Sequence, residues 1–235
     1  MDLKKEGVSN ILLKSLCILQ KNSLFKDYYL VGGTALSLHI GHRISEDIDL
    51  FTNSKLKKEE ILSFIKSNIS DDIKITNSEE KILQLYSDNK KLKIDFVELP
   101  YKLINPLIKK DGICLVGMDD LAAMKVSATG TRGNEAKDFV DLYYILKYMS
   151  IEKIFDNFKK KYETNDILHY VRSAMYFDDI KEDSWKSIKI MYDKDISKHI
   201  IMNTLTNEIK KYQESELLKI NNINTGNSGE VFTES

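Results

Sequence analysis

Asp47 and Asp49 in "DIDLF" (47–51) are two carboxylates separated by one apolar residue. In an extended strand, residues i and i+2 face the same side, so both acids point together while Ile48 and Leu50 face a core. Two like charges roughly 7 Å apart on one face repel unless a cation sits between them. A hard divalent cation suits that pair, because Mg²⁺ typically takes one or two carboxylates together with substrate phosphates. Asp95 in "KIDFV" (93–97) is a third acid, flanked by Ile94 and Phe96. If its strand lies beside the first, the three carboxylates could hold two metal ions. The turn "VGGTAL" (31–36) supplies the complement. Gly32 and Gly33 let backbone N–H groups approach phosphate, the helix start that follows favours anions, and Thr34 can offer its hydroxyl. Taken singly, the two aspartates read as a solvated strand end and the glycines as a turn. Taken in this order, they describe a metal–nucleotide site.

Periodicity predicts the elements that would position these groups. Ile11, Leu12, Leu16 and Leu19 recur at helical spacing and predict a helix over 9–21. "YYLVG" (28–32) reads as a strand, 34–41 as a helix opened by Thr34 and closed by Gly41, and 47–51 as the aspartate strand. Residues 57–69 form an amphipathic helix, and 73–76, 81–87 and 91–99 alternate as strands with a hairpin turn at "SDNK". Beyond 112–120 the pattern becomes helical, with helices expected over 119–128, 134–149, 151–162, 165–176, 184–193 and 195–213. The expected class is α+β: an N-terminal α/β domain with a mixed sheet (1–117), a C-terminal helical bundle completing the cleft (118–214) and a disordered polar tail (215–235).

The chain has 235 residues, 30% of them charged, yet a net charge of only -1. That balance argues against a wholesale nucleic-acid coat and leaves room for a local basic patch. Arginine is scarce, with Arg43, Arg132 and Arg172 the only three. Cys17 and Cys114 lie in apolar runs and read as small hydrophobes, with one disulfide left open. The first residues read as an amphipathic helix rather than a signal peptide, and no apolar run approaches the ~20 residues of a membrane span. A cytoplasmic protein with no membrane partner is expected.

Gly33-Thr34, then twelve residues, then Asp47-x-Asp49 resembles the first motif of the nucleotidyltransferase (DNA polymerase β-like) superfamily. The fuller string "GGTALSLHIGHRISEDIDLF" (32–51) is similar to the AbiEii/AbiGii-type toxin family, the nucleotidyltransferase half of bacterial toxin–antitoxin and abortive-infection systems. "MKVSATGTRGNEAKDFVDLYYIL" (124–146) is similar to that family's Lys…Arg…Lys-Asp helix motif, and "YFDD" (176–179) to a fourth; the likeness covers roughly residues 25–180. The resemblance implies an enzyme that moves NMP from an NTP to an acceptor hydroxyl with Mg²⁺ or Mn²⁺. It implies Asp47, Asp49, Asp95 and Lys125 as catalytic residues, with the three acids as metal ligands. Nucleotide contacts would come from Gly32, Gly33, Thr34, Arg43, Ser45, Arg132, Lys137 and Asp138. The implied acceptor is RNA, at a tRNA 3′ end, although some members modify protein hydroxyls; the implied partner is an antitoxin protein. A small-molecule nucleotidyltransferase of the aminoglycoside-modifying sort would use the same triad. A catalytically silent nucleotide-binding module would not need three converging acids.

Physically, a lysine on the largely apolar face of Leu121, Lys125 and Ala128 either snorkels to solvent or neutralises a phosphate. Lys137 and Asp141, four apart, read as a helical ion pair, and Asp138 as a first-turn acid. Arg43 pairs with Asp47 or grips a phosphate. His42 reads as a surface residue and His39 as structural. The acidic pairs at 71–72 and 178–179 and the charged runs at 55–60 and 157–163 read as solvated faces. An RNA acceptor would call for lysines at the cleft mouth, from "KLKK" (55–58) or "NFKKKY" (157–162); a drug acceptor would call for an acidic cleft.

Overall fold

The computed structural model describes residues 2–193 and 195–226. Tyr29–Val31 form β1, a strand whose three residues are all buried. Such a strand must be covered on both faces and lie inside a sheet. It pairs antiparallel with β2 (Asp47–Thr52) and parallel with β7 (Ile113–Leu115). β2 runs parallel to β5 (Leu92–Glu98). With β3 (Lys74–Glu79), β4 (Ile82–Ser87) and β6 (Ile108–Lys110), these strands make a mixed seven-stranded sheet in the order β3-β4-β5-β2-β1-β7-β6. The turn between β4 and β5 falls at the expected place.

The β6–β7 hairpin was not expected from periodicity, because three-residue strands are too short to show a period. Its local signal is Asp111-Gly112, which joins the paired residues Lys110 and Ile113 with both φ angles positive, at 54° and 77°. That geometry suits a two-residue hairpin loop, where Asp-Gly is favoured.

α1 (Asn10–Lys21) starts where the Ser9 side chain accepts a bond from the Leu12 N–H, and it buries Leu12, Ser15, Leu16 and Leu19. α2 (Gly32–Ile40) is apolar nearly all round and lies inside the molecule, ending at left-handed Gly41. α3 (Lys58–Asn68) follows β2. The helical half comprises α4 (Met118–Thr131), α5 (Ala136–Ile145), α6 (Ile151–Tyr162), α7 (Leu168–Ser173), α8 (Glu182–Lys186) and α9 (Lys198–Gly226). One apolar cluster takes in Leu30, Ile48 and Phe96 from the sheet and Leu121, Val126 and Phe139 from the helices, so the two halves share a core. Among the described residues no helix is long and apolar enough to cross a membrane.

Three expectations change. The helix expected over 184–193 stops at Lys186, and residues 189–191 run extended instead: the Ile44 N–H donates to the Lys189 carbonyl (2.9 Å) and the Met191 N–H to the His42 carbonyl (2.8 Å). The alternation of Ile188 and Ile190, both partly buried, accounts for it. The helix expected over 165–176 shrinks to α7. In the other direction, the last helix runs on to Gly226, so 215–226 of the expected tail is helical, supported by Lys211–Glu208 and Lys219–Glu216 ion pairs. Residues 227–235 of that tail lie outside the described residues.

Candidate active site

β2 alternates as its sequence requires: Ile48 and Leu50 are fully buried, while Asp47 and Asp49 sit half-buried on the other face. The parallel pairing sets Asp49 directly against Asp95 and Asp47 against Lys93. Neighbours in register point to the same side of a sheet, so three acids and one lysine share a face. Asp95 is nearly buried. Its Oδ2 accepts from Gln84 Nε2 and Lys93 Nζ, both at 2.8 Å, whereas its Oδ1 has no hydrogen-bond partner. Asp49 is pushed up to about 6, by burial first and then by the charges of Asp95 and Asp47. An acid crowded by two others and a second acid with an orphaned oxygen are what remain when carboxylates are arranged for a cation. Among the described residues, however, no group of three or more His, Cys, Asp or Glu side chains is already drawn together to hold a metal ion. Lysines neutralise the acids instead: Lys93 sits on Asp95, and Lys137 Nζ lies 3.6 Å from Asp47 Oδ2.

On its other edge β2 brings Asp49 against Val31, the residue before Gly32. Gly32 has φ +70°, and a Cβ there would fall 2.1 Å from Asp49 Oδ2. A Cβ on Gly33 would fall 2.3 Å from Arg43 Nη2. A Cβ at either glycine would therefore force a side chain of the site to shift, and the start of α2, with no side-chain cap on its first N–H groups, lies directly over the aspartates. Thr34 does not serve as the expected phosphate donor. It is fully buried, with its hydroxyl against the Asp47 carbonyl and 2.9 Å from Ser45 Oγ. It clamps the strand that carries the acids, and Ser45 lies beside it at the cavity wall. Gly32→Ala is expected to cost about 1–2 kcal/mol, because an L-residue is forced into the left-handed region, and to weaken NTP binding by displacing the Asp49 carboxylate. Fluorescence titration with nucleotide beside a thermal melt checks both; unchanged binding would mean that the glycine does not shape the site.

Beneath the turn lies a buried charge network. Asp141 is fully buried and accepts from Arg43 twice, Nε to Oδ1 at 2.6 Å and Nη2 to Oδ2 at 2.9 Å. His42 Nε2 lies 2.7 Å from Oδ1, and Lys125 Nζ 2.6 Å from Oδ2. Lys125 also meets Asp138 Oδ1 at 2.7 Å, and Arg132 Nη2 meets Asp138 Oδ2 at 2.9 Å. Burial works against the Asp141 charge, but Arg43 and Lys125 outweigh it and hold this carboxyl well below its usual range. Burial also works against Lys125, and Asp138 and Asp141 nevertheless raise it. Burial lowers His42, which is therefore neutral; its Nε2–H donates to Asp141, and Nδ1 is left without a partner. Several expectations are corrected by this network. His42 is buried rather than on the surface, Arg43 pairs with Asp141 rather than Asp47, and Lys125 neither snorkels nor stands free. Lys137 turns to Asp47 because Asp141 faces inward.

The groups converge on an open cavity of about 750 Å³. Gly32, Gly33, Arg43, Ser45, Asp47, Asp49, Asp95, Lys125, Arg132, Lys137 and Asp138 all line it, and of the expected site residues only Thr34 does not. Sequence reading missed Lys93, Lys189, Tyr101 and Tyr170 on its wall. Strand alternation could have found Lys93, two residues before Asp95; the tyrosines carry no local signal. No lysine of either run expected at the mouth lines the cavity, and only Tyr162 of the second run does. Lys161 is buried against Asp120 at 2.7 Å, Lys159 reaches Asp156, and Lys57 pairs with Glu60. Of the acidic pairs, Asp178 and Asp179 are exposed and stand away from the cavity lining, whereas Asp72 ties the β4–β5 hairpin through Ser87 and the Asn89 N–H. The two cysteines are free.

The family model described as the nucleotidyl transferase AbiEii toxin of type IV toxin–antitoxin systems matches residues 14–207. The chain belongs to this family. It is accordingly a nucleotidyltransferase. An uncharacterised protein of Aquifex aeolicus is 31% identical to this AbiEii-family chain over 200 residues, which cover 80% of it and 89% of the relative. Among solved structures, the nucleotidyltransferase toxin MenT4 of Mycobacterium tuberculosis superposes with a TM-score of 0.57 at 15% identity, covering 84% of this chain and 80% of MenT4. An H. pylori protein proposed to be a nucleotidyltransferase superposes with a TM-score of 0.52 at 19% identity, covering 88% and 96% of the two chains. At such identities these neighbours establish the fold of the AbiEii chain.

Proposed function

We propose that this protein transfers an NMP from an NTP to a hydroxyl of an RNA acceptor, at a tRNA 3′ end, as the toxin of a toxin–antitoxin pair with a separately encoded antitoxin. The observation that carries the chemistry is the register that sets Asp49 against Asp95 under a glycine with no room for a side chain. Asp47, Asp49 and Asp95 would hold Mg²⁺ or Mn²⁺, which when bound offsets the triphosphate charge and makes the attacking hydroxyl more acidic. The N–H groups at the start of α2 and Ser45 face the phosphates. Lys137 and Lys189 offer cations to them from the rim. The acceptor oxygen attacks the α-phosphorus in line, the bond to the bridging oxygen breaks, and pyrophosphate leaves. The proton lost by the acceptor passes to a carboxylate of the triad and from there to solvent. Lys125 acts from beside the acids by holding the Asp138–Asp141 helix in register with them.

The test is label transfer. The protein is incubated with Mg²⁺, each α-labelled NTP in turn and total cellular RNA. Label in a discrete tRNA-sized band supports the reading and reports the base preferred. Label in protein or in small molecules would redirect the acceptor, and no label with NTP still bound would favour a silent module.

A further inference from the structure

Lys93 belongs to no expectation drawn from the sequence, yet it is the cation closest to the triad. Strand alternation and the Asp47–Lys93 register turn it to the acid face. Its ammonium is 2.8 Å from Asp95 Oδ2, and Asp47 and Asp49 both add to the attraction. Gln84 shares the same oxygen, so Asp95 has Oδ2 doubly occupied, while Oδ1 is buried without a hydrogen-bond partner. The side chain is 39% exposed at the cavity wall, which leaves its long stem free to swing. An ammonium at this place repels any divalent cation that approaches the same carboxylates, and a triphosphate arriving beside it competes for that ammonium.

We propose that Lys93 is the internal counter-ion of the triad: it suppresses divalent-metal binding to the free protein and is drawn to the triphosphate when NTP enters, so that metal and nucleotide load together. This rests on the metal-dependent reading above. Binding linkage makes the effect reciprocal, so each ligand must raise affinity for the other, and part of that coupling must pass through Lys93.

The test is Mn²⁺ binding to the full chain, read by electron paramagnetic resonance, with and without each of the four α,β-methylene NTPs in turn. Lys93→Gln removes the charge, Lys93→Arg keeps it, and a thermal melt confirms each fold; Lys93→Met repeats the test if the glutamine variant unfolds. Without nucleotide, Lys93→Gln is expected to bind Mn²⁺ at least about tenfold more tightly than the wild type, and Lys93→Arg within about threefold of it. With nucleotide the gap between Lys93→Gln and wild type is expected to close. A side chain that merely supported the fold would not raise metal affinity on removal. Equal Mn²⁺ affinity of Lys93→Gln and wild type without nucleotide would overturn the Lys93 proposal and leave the metal reading standing. Arginine and glutamine variants that bind equally tightly would also overturn it. Absence of Mn²⁺ uptake by every form, with and without nucleotide, would overturn both.

Discussion

Asp49→Asn is expected to abolish nucleotidyl transfer, by on the order of a thousandfold or more, while making the metal-free protein more stable. The first effect follows from removing a charge that faces the cavity without changing side-chain volume. The second follows from the same charge being unwelcome among its neighbours, where burial, Asp95 and Asp47 push Asp49 up to about 6 from an ordinary 3.8. A carboxyl whose folded pKa is raised costs stability when ionised. That cost is fully present above about pH 6 and absent below 3.8. The asparagine variant should therefore exceed the wild type by about 1–2 kcal/mol at pH 8, a figure reduced for the solvent in the open cavity. Its advantage should shrink as pH falls through 6 and vanish near 4. Urea midpoints of both proteins in EDTA across that range, beside the label-transfer assay, give the readout. Retained transfer would remove Asp49 from the chemistry; a variant less stable at pH 8 would mean that the carboxylate is a structural ligand.

Asp141→Ala is expected to cost about 3–5 kcal/mol, because it leaves Arg43 and Lys125 buried with one carboxylate fewer. Asp141 accepts from Arg43, His42 and Lys125 at once and is fully buried, so its loss leaves three buried polar groups without their shared acceptor. Transfer should fall too, since the Arg43 guanidinium lies directly under Gly33. Chemical unfolding measures the loss, with Asp141→Asn as the milder variant should the alanine form not fold. A cost below about 1 kcal/mol would show that Arg43 and Lys125 find other partners. Asp141, read from the sequence as one half of a helical ion pair with Lys137, would then matter less than its burial indicates.

The misreading of Asp141 shows where local reasoning ends. Helical spacing says that Lys137 and Asp141 can meet, but not which face of the helix is buried. α5 is buried along almost its whole length, which a window with both acids and tyrosines does not announce. His42 was misplaced for the same reason: its partner is 99 residues away. The strap at 189–191 was read as helix because its pairing partner, residues 42–44, is more remote still.

The local order of residues was enough to place the acids, the glycine turn and the mixed α+β character, because those rest on periods of two and 3.6 and on the freedom of glycine. β2 needs no more than its own alternation to put Asp47 and Asp49 on one face. The sequence also carries the family motif, since Gly33-Thr34 and Asp47-x-Asp49 are close in the chain. Packing alone decided that β5 lies parallel to β2 with Asp95 opposite Asp49, and that Lys93 comes with it. It also decided that Thr34 and Lys125 hold the site together from inside. These outcomes depend on which strand pairs with which and on which helix face meets the sheet, and both are settled by burying one shared core rather than by any stretch of residues alone.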